Sequence, residues 1–162
     1  MKSFPKLSGA QASALVVLRV LIGWHFLYEG VIKLYSSTWS AKSYLLNASF
    51  LTPFFRWLAS ESVLPAIDVL NIAALMVVGI SLLIGFRTKW ASVIGIGLLL
   101  LYFLAHPPFP GLPQGPSEGS YWLVNKNLIE AAALWVLFLF PTDTAFGIEH
   151  LFEKNDNGNS EN

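Results

Sequence analysis

Residues 12–34 read ASALVVLRVLIGWHFLYEGVIKL. As a helix this stretch is long enough to cross a bilayer, which takes about 20 mainly apolar residues for roughly 30 Å of hydrocarbon. Yet it carries Arg19, His25, Glu29 and Lys33. An ionisable side chain at mid-membrane costs about 2.5–3.5 kcal/mol on insertion scales, so each of these four marks a functional or structural necessity. Both features, an apolar span and charges set within it, recur along the chain.

Further apolar stretches cover about 65–86, 89–105 and 122–140. The third is short, but its core IGIGLLLLYFLA, residues 94–105, is uninterrupted. Composition agrees: 54% of the 162 residues are hydrophobic and 12% are charged, where a soluble domain has about 25% charged. Mean hydropathy is +0.56. A soluble globule of this length could not bury so much apolar surface. The expected fold is therefore all-α, an integral membrane four-helix bundle forming one membrane domain over residues 1–162, with membrane lipid as its surroundings.

Several chemistries are excluded at once. Formal net charge is zero, which leaves no basic field to hold nucleic acid. Cysteine is absent, so disulfides, thiolate metal sites, iron–sulfur clusters and thiol–disulfide exchange are ruled out. Three scattered histidines provide no ligand spacing, and no metal is expected.

Lys2 and Lys6 precede the first span, which has no small-residue cleavage site after it and reads as a retained signal-anchor. Arg87 and Lys89 fill the tight turn between the second and third spans, on the same side as Lys2 and Lys6. The positive-inside bias then puts both termini in the cytoplasm, against a weaker count of Lys42 and Arg56 opposite. Two external segments follow, 35–64 and 106–121. The first sets Trp39, Tyr44, Phe50, Phe54, Phe55 and Trp57 among small polar residues, which suits the headgroup interface. The second holds Pro107, Pro108, Pro110, Pro113 and Pro116 and is expected as a stiff surface loop over the bundle mouth. The tail, 143–162, is polar and expected to be disordered.

Depth along the spans organises the polar residues. Successive spans alternate in direction, so the end of one lies level with the start of the next. Glu29 and Lys33 come late in the first span, and Asp68 and Asn71 early in the second. Tyr102 and His106 close the third; Trp122, Asn125, Lys126 and Glu130 open the fourth. All four spans thus deliver polar groups to one end, the extracytoplasmic one, and only Arg19 lies toward the other. Arg19, Gly23, Phe26, Gly30 and Lys33 fall on one helical stripe, and Asp68, Asn71, Leu75 and Gly79 on another. The glycines on these stripes permit close helix approach. Arg19, Lys33 and Lys126 balance Glu29, Asp68 and Glu130, so a neutral buried network is expected. His25 lies off the first stripe and reads as structural.

Three segments, LRVLIGWHFLYEGVIKL, GISLLIGFRTKWAS and VNKNLIEAAAL, resemble the DoxX family, and the arrangement is particularly similar to its DoxD-like branch, the membrane subunit of thiosulfate:quinone oxidoreductase. The resemblance covers about residues 12–141. It implies a four-helix protein of the bacterial or archaeal inner (cytoplasmic) membrane, tied in one branch to electron transfer into the quinone pool. Arg19, Lys33, Asn125, Lys126 and Glu130 match the polar family positions.

Two functions compete. As a quinone-linked oxidoreductase subunit, the chain would pass electrons from an extracytoplasmic donor, an exported oxidoreductase or a second subunit. Glu130 and Asp68 would then be proton donors and Arg19 or Lys126 anion stabilisers. Glu29, Lys33, Asn71, Tyr102, His106, Asn125 and Trp122 would surround the quinone, with Trp24 and Phe26 as further flat walls. As a non-catalytic membrane adaptor or assembly factor, the chain would use the polar cluster to hold the bundle and the external segments to dock an exported partner or a second copy of itself. A solute carrier is disfavoured by the lack of repeated halves.

Overall fold

In a computed structural model of the chain, the described residues are 7–112, 121–140 and 142. Lys2, Lys6, Pro113, Pro116 and the tail 143–162 lie outside them.

Helix α1 spans Gly9–Tyr35. It starts at a capping box in which Ser8 Oγ accepts from Gln11 N and Gln11 Oε1 accepts from Ser8 N at 2.8 Å, so two of the orphan amides of the first turn are satisfied. Two short helices follow, α2 (Lys42–Leu46) and α3 (Thr52–Leu58). Helix α4 (Leu64–Ile84) places Pro65 in its first turn, where no amide is needed, and stops at Gly85 in the left-handed region, φ 68°. Helix α5 (Thr88–Ala105) begins immediately after. Helix α6 (Lys126–Leu139) is capped by Asn125, whose side chain accepts from Leu128 N at 3.1 Å.

Regular structure among the described residues is all helical, apart from a lone bridge between Tyr121 and Val124 that closes a turn. Helices α1, α4 and α5 are long and apolar enough to cross a membrane. Helix α6 has 14 residues, about 21 Å at 1.5 Å per residue, less than a full crossing. The helix starts later than the expected span from about 122, for a local reason. Trp122 has φ 64° inside the turn from Tyr121 to Val124, and Asn125 caps the helix only afterwards.

Contacts run from α1 to α4, α4 to α5, α5 to α6 and, most lightly, α6 back to α1. The tightest approach is between α1 and α4. A Cβ built on Gly79 would stand 2.5 Å from Leu27 N, and one on Gly30 would stand 2.8 Å from Met76 Cγ. Only glycine admits that backbone spacing. Ile22, Phe26, Leu75, Val78, Leu82, Leu99, Leu134 and Leu137 form the apolar core between the helices.

A second core lies under α2 and α3, where Leu45, Phe55 and Ala59 pack with Ala105 at the end of α5. The polar chain is tied down there by Ser49 N, which donates to Ala105 O at 2.9 Å. The expected surface loop after α5 departs from the surface at its start: His106, Pro107 and Pro108 are buried. Tyr44 packs edge-on to His106 with centroids 4.4 Å apart, covering it.

Candidate functional site

At the end of the molecule that carries α2 and α3, the helices part around a cavity of about 320 Å³. From α1 it receives His25, Phe26, Glu29 and Lys33; from α4, Asn71 and Leu75; from α5, Leu99 and Tyr102; and from α6, Lys126, Asn127 and Glu130. Trp39, Ser40, Ala41 and Tyr44 close it from the connecting segment. His25, Glu29 and Lys33 are each four residues apart, so α1 presents all three along one face.

Phe26, Leu75 and Leu99 are buried and make the apolar floor. The walls are polar and paired. His25 Nδ1 lies 2.7 Å from Glu130 Oε1, a hydrogen bond that the imidazole donates across the α1–α6 seam. The Glu130 side chain is only 12% exposed and that of His25 39%. Lys33 forms an ion pair with Glu29 one turn earlier, and its ammonium sits 5.8 Å from the centre of the Trp39 ring. Across the α4–α5 seam, Asn71 Nδ2 donates to the Tyr102 hydroxyl at 2.6 Å.

Supporting contacts hold the covering segment in place. Asp68 Oδ1 accepts from Ala41 N at 2.8 Å. The Tyr44 hydroxyl donates to the carbonyl of Tyr102 at 3.1 Å, and His106 Nε2 donates to the carbonyl of Tyr44 at 3.1 Å. Burial pushes the Tyr44 phenol above its ordinary pKa, and the neighbouring Tyr102 adds to the rise. Tyr44 is therefore a neutral donor at physiological pH.

The residues picked out by depth separate into three groups. Glu130, Lys126, Glu29, Lys33, Asn71 and Tyr102 line the cavity. Asp68, His106 and Asn125 stand behind it, as the acceptor for Ala41, the support for Tyr44 and the cap of α6. Arg19 and Trp122 are elsewhere. Arg19 is 3% exposed and its Nη1 donates at 2.8 Å to Thr142 Oγ1, beyond the far end of α6. Trp122 and Trp24 face outward, at 77% and 61% exposure.

The expected charge network resolves into separate pairs. Lys126 is the exposed first residue of α6, and the ion pairs among the described residues are His25–Glu130 and Lys33–Glu29. The partner of Glu130 is His25, the residue that the glycine stripe of α1 passes by. Its signal was the repeat of four linking His25, Glu29 and Lys33. Trp39 and Tyr44 were legible only as interfacial aromatics. Among the described residues no group of three or more His, Cys, Asp or Glu converges on a metal position.

The sequence matches the DoxX family over residues 14–107. This chain belongs to the DoxX family. The match includes the α1, α4 and α5 walls of the cavity and stops before α6, and it does not separate the DoxD-like branch from the rest of the DoxX family. Neither a curated protein nor a solved structure matches the chain.

Proposed function

We propose that this DoxX-family chain is a four-span subunit of the cytoplasmic membrane that reduces a quinone in the cavity between its helices. The observation that carries the reading is the His25–Glu130 hydrogen bond on the wall of a cavity with an apolar floor. Small-molecule sites occupy about 300–1,000 Å³ and combine apolar walls with a few placed polar groups. A quinone has matching parts, an apolar ring and tail with acceptor oxygens on the ring.

In this reading α6 is the fourth span of a four-helix bundle despite its length. Tyr121 and Trp122, both exposed just before it, sit at headgroup level, and Lys126 snorkels to the same depth. Arg87, in the turn between α4 and α5, and Lys89, in the first turn of α5, are exposed at the end away from the cavity. That end is cytoplasmic, with both termini, and the cavity faces outward.

Reduction adds two electrons and two protons, turning both ring carbonyls into hydroxyls. The Glu130 carboxyl and the His25 imidazole hold and hand over protons at the cavity wall. Lys33 and Lys126 offset negative charge that develops on the ring oxygens. With no thiol in the chain to cycle, both electrons come from an extracytoplasmic donor or from an exported redox partner. The α2–α3 segment, with Phe50, Phe54 and Trp57 exposed, provides a docking face for it. The same face supports the second reading, a non-catalytic adaptor.

The test is solvent extraction of the purified protein, followed by titration with decylubiquinone. Wild type is expected to retain quinone or bind the probe saturably, and Glu130→Gln to slow its turnover with the donor system. A wild type that neither retains quinone nor binds the probe leaves the adaptor reading alone.

A further inference from the structure

We infer that Asn127 anchors a ring oxygen of the ligand, and that its carboxamide makes the cavity select an oxygen-bearing ring over a hydrocarbon of the same shape. The inference rests on the quinone reading and names the contact that fixes where the ring lies. The buried residues of α6 are Asn127, Ala131, Leu134 and Leu137, a stripe at intervals of three and four residues. Ala131, Leu134 and Leu137 join the apolar core. Asn127, 7% exposed, continues that stripe with an amide, at a position where packing between helices calls for an apolar or small side chain.

A buried asparagine can cap a helix, tie two helices together or meet a ligand. Asn125 does the first, through Leu128 N, and Asn71 the second, through the Tyr102 hydroxyl. Among the described residues no group hydrogen-bonds to the Asn127 amide. Unlike Asn125 Nδ2, which is sealed inside the protein, the Asn127 amide is open to the cavity that the residue lines. A carboxamide carries both a donor and an acceptor. It donates to a ring oxygen that is a carbonyl and accepts from the hydroxyl formed on reduction, so one group serves both redox states. Glu130 follows Asn127 by three residues, about 4.5 Å along the helix axis, and lines the same cavity. A ring oxygen held by Asn127 is thereby brought next to the carboxyl that hands over a proton. Asn127 itself binds and orients the ring and transfers no proton.

The test compares decylubiquinone with decylbenzene, which has the same tail on a ring without oxygens, in binding to the full chain in detergent. Asn127→Leu keeps roughly the side-chain volume and extends the apolar stripe. Wild type is expected to prefer the quinone, and Asn127→Leu to cut that preference by about two- to tenfold. Without ligand the variant should melt at or above the wild-type temperature, because it removes a buried amide that no protein group satisfies. Asn127→Ala, which opens space instead of filling it, should lower the preference likewise and replaces the leucine variant if that one does not fold. A preference unchanged from wild type, with or without lower melting, makes Asn127 structural and overturns the inference while the cavity remains a quinone site. A wild type that binds no quinone removes both.

Discussion

Replacing Gly79 by alanine drives a methyl group into the backbone of α1. The new Cβ would lie 2.5 Å from Leu27 N and 2.7 Å from Leu27 Cα, where unstrained contacts between carbons are about 3.5–4.0 Å. Leu27 cannot turn aside, because the obstructing atoms are main chain. Helix α1 must move off α4 by about 1 Å, a length set by that contact distance, and overpacking of this kind costs about 1–3 kcal/mol. Two other glycines calibrate the argument. At Gly95 the nearest atom, 2.7 Å away, is Leu134 Cδ1, the end of a flexible side chain, so the cost should be smaller. At Gly97 nothing lies within 4 Å, and alanine should be neutral or should stabilise the helix by up to about 1 kcal/mol. Thermal unfolding in detergent, followed by circular dichroism, should rank Gly79→Ala lowest, Gly95→Ala next and Gly97→Ala at or above wild type. Equal melting of Gly79→Ala and wild type would refute the close α1–α4 contact, and with it the placement of His25, Glu29 and Lys33.

Three further outcomes are expected. A double-mutant cycle on His25→Ala and Glu130→Gln should give a coupling of about 1 kcal/mol, reduced from the fully buried case by the exposure of His25; additive effects would mean that the two groups do not interact. Asp68→Ala removes the acceptor for Ala41 N, so amide exchange at Ala41 should quicken by about tenfold, the equivalent of 1.4 kcal/mol, and an unchanged rate would free Asp68 of that role. Reporter fusions at residue 162 should be active only in the cytoplasm and those within 108–118 only outside; the reverse pattern would invert the site.

What the sequence discloses, and what it withholds, follows from the physics of each feature. The spans of α1, α4 and α5 are legible because hydrocarbon thickness fixes their length. Depth is legible too, since antiparallel succession alone brings Glu29, Asn71, Tyr102 and Glu130 level. Rotation about each helix is harder to read. On α1 the glycine stripe that packs against α4 and the repeat of four through His25 are adjacent faces, and the glycines make the first look like the interior. Pairing is harder still, because Lys33 has an acid one turn away as well as across the bundle, and proximity in the chain prevails. The start of α6 depended on a left-handed turn at Trp122 that apolar composition does not reveal. Charge balance places Arg19 with the carboxylates, whereas its Nη1 donates to Thr142, 123 residues away, and no periodicity connects the two.

Photolabelling with an azido-substituted decylubiquinone, followed by peptide mapping, tests the central claim most directly. Labels are expected on the cavity walls, within 25–33, 39–44, 71–75, 99–102 and 126–130, and an excess of unlabelled decylubiquinone should suppress them. Labels confined to the outward faces around Trp24, Trp90 and Trp135, with no suppression by competitor, would show a lipid-soluble probe partitioning around the bundle and would contradict a quinone site within it.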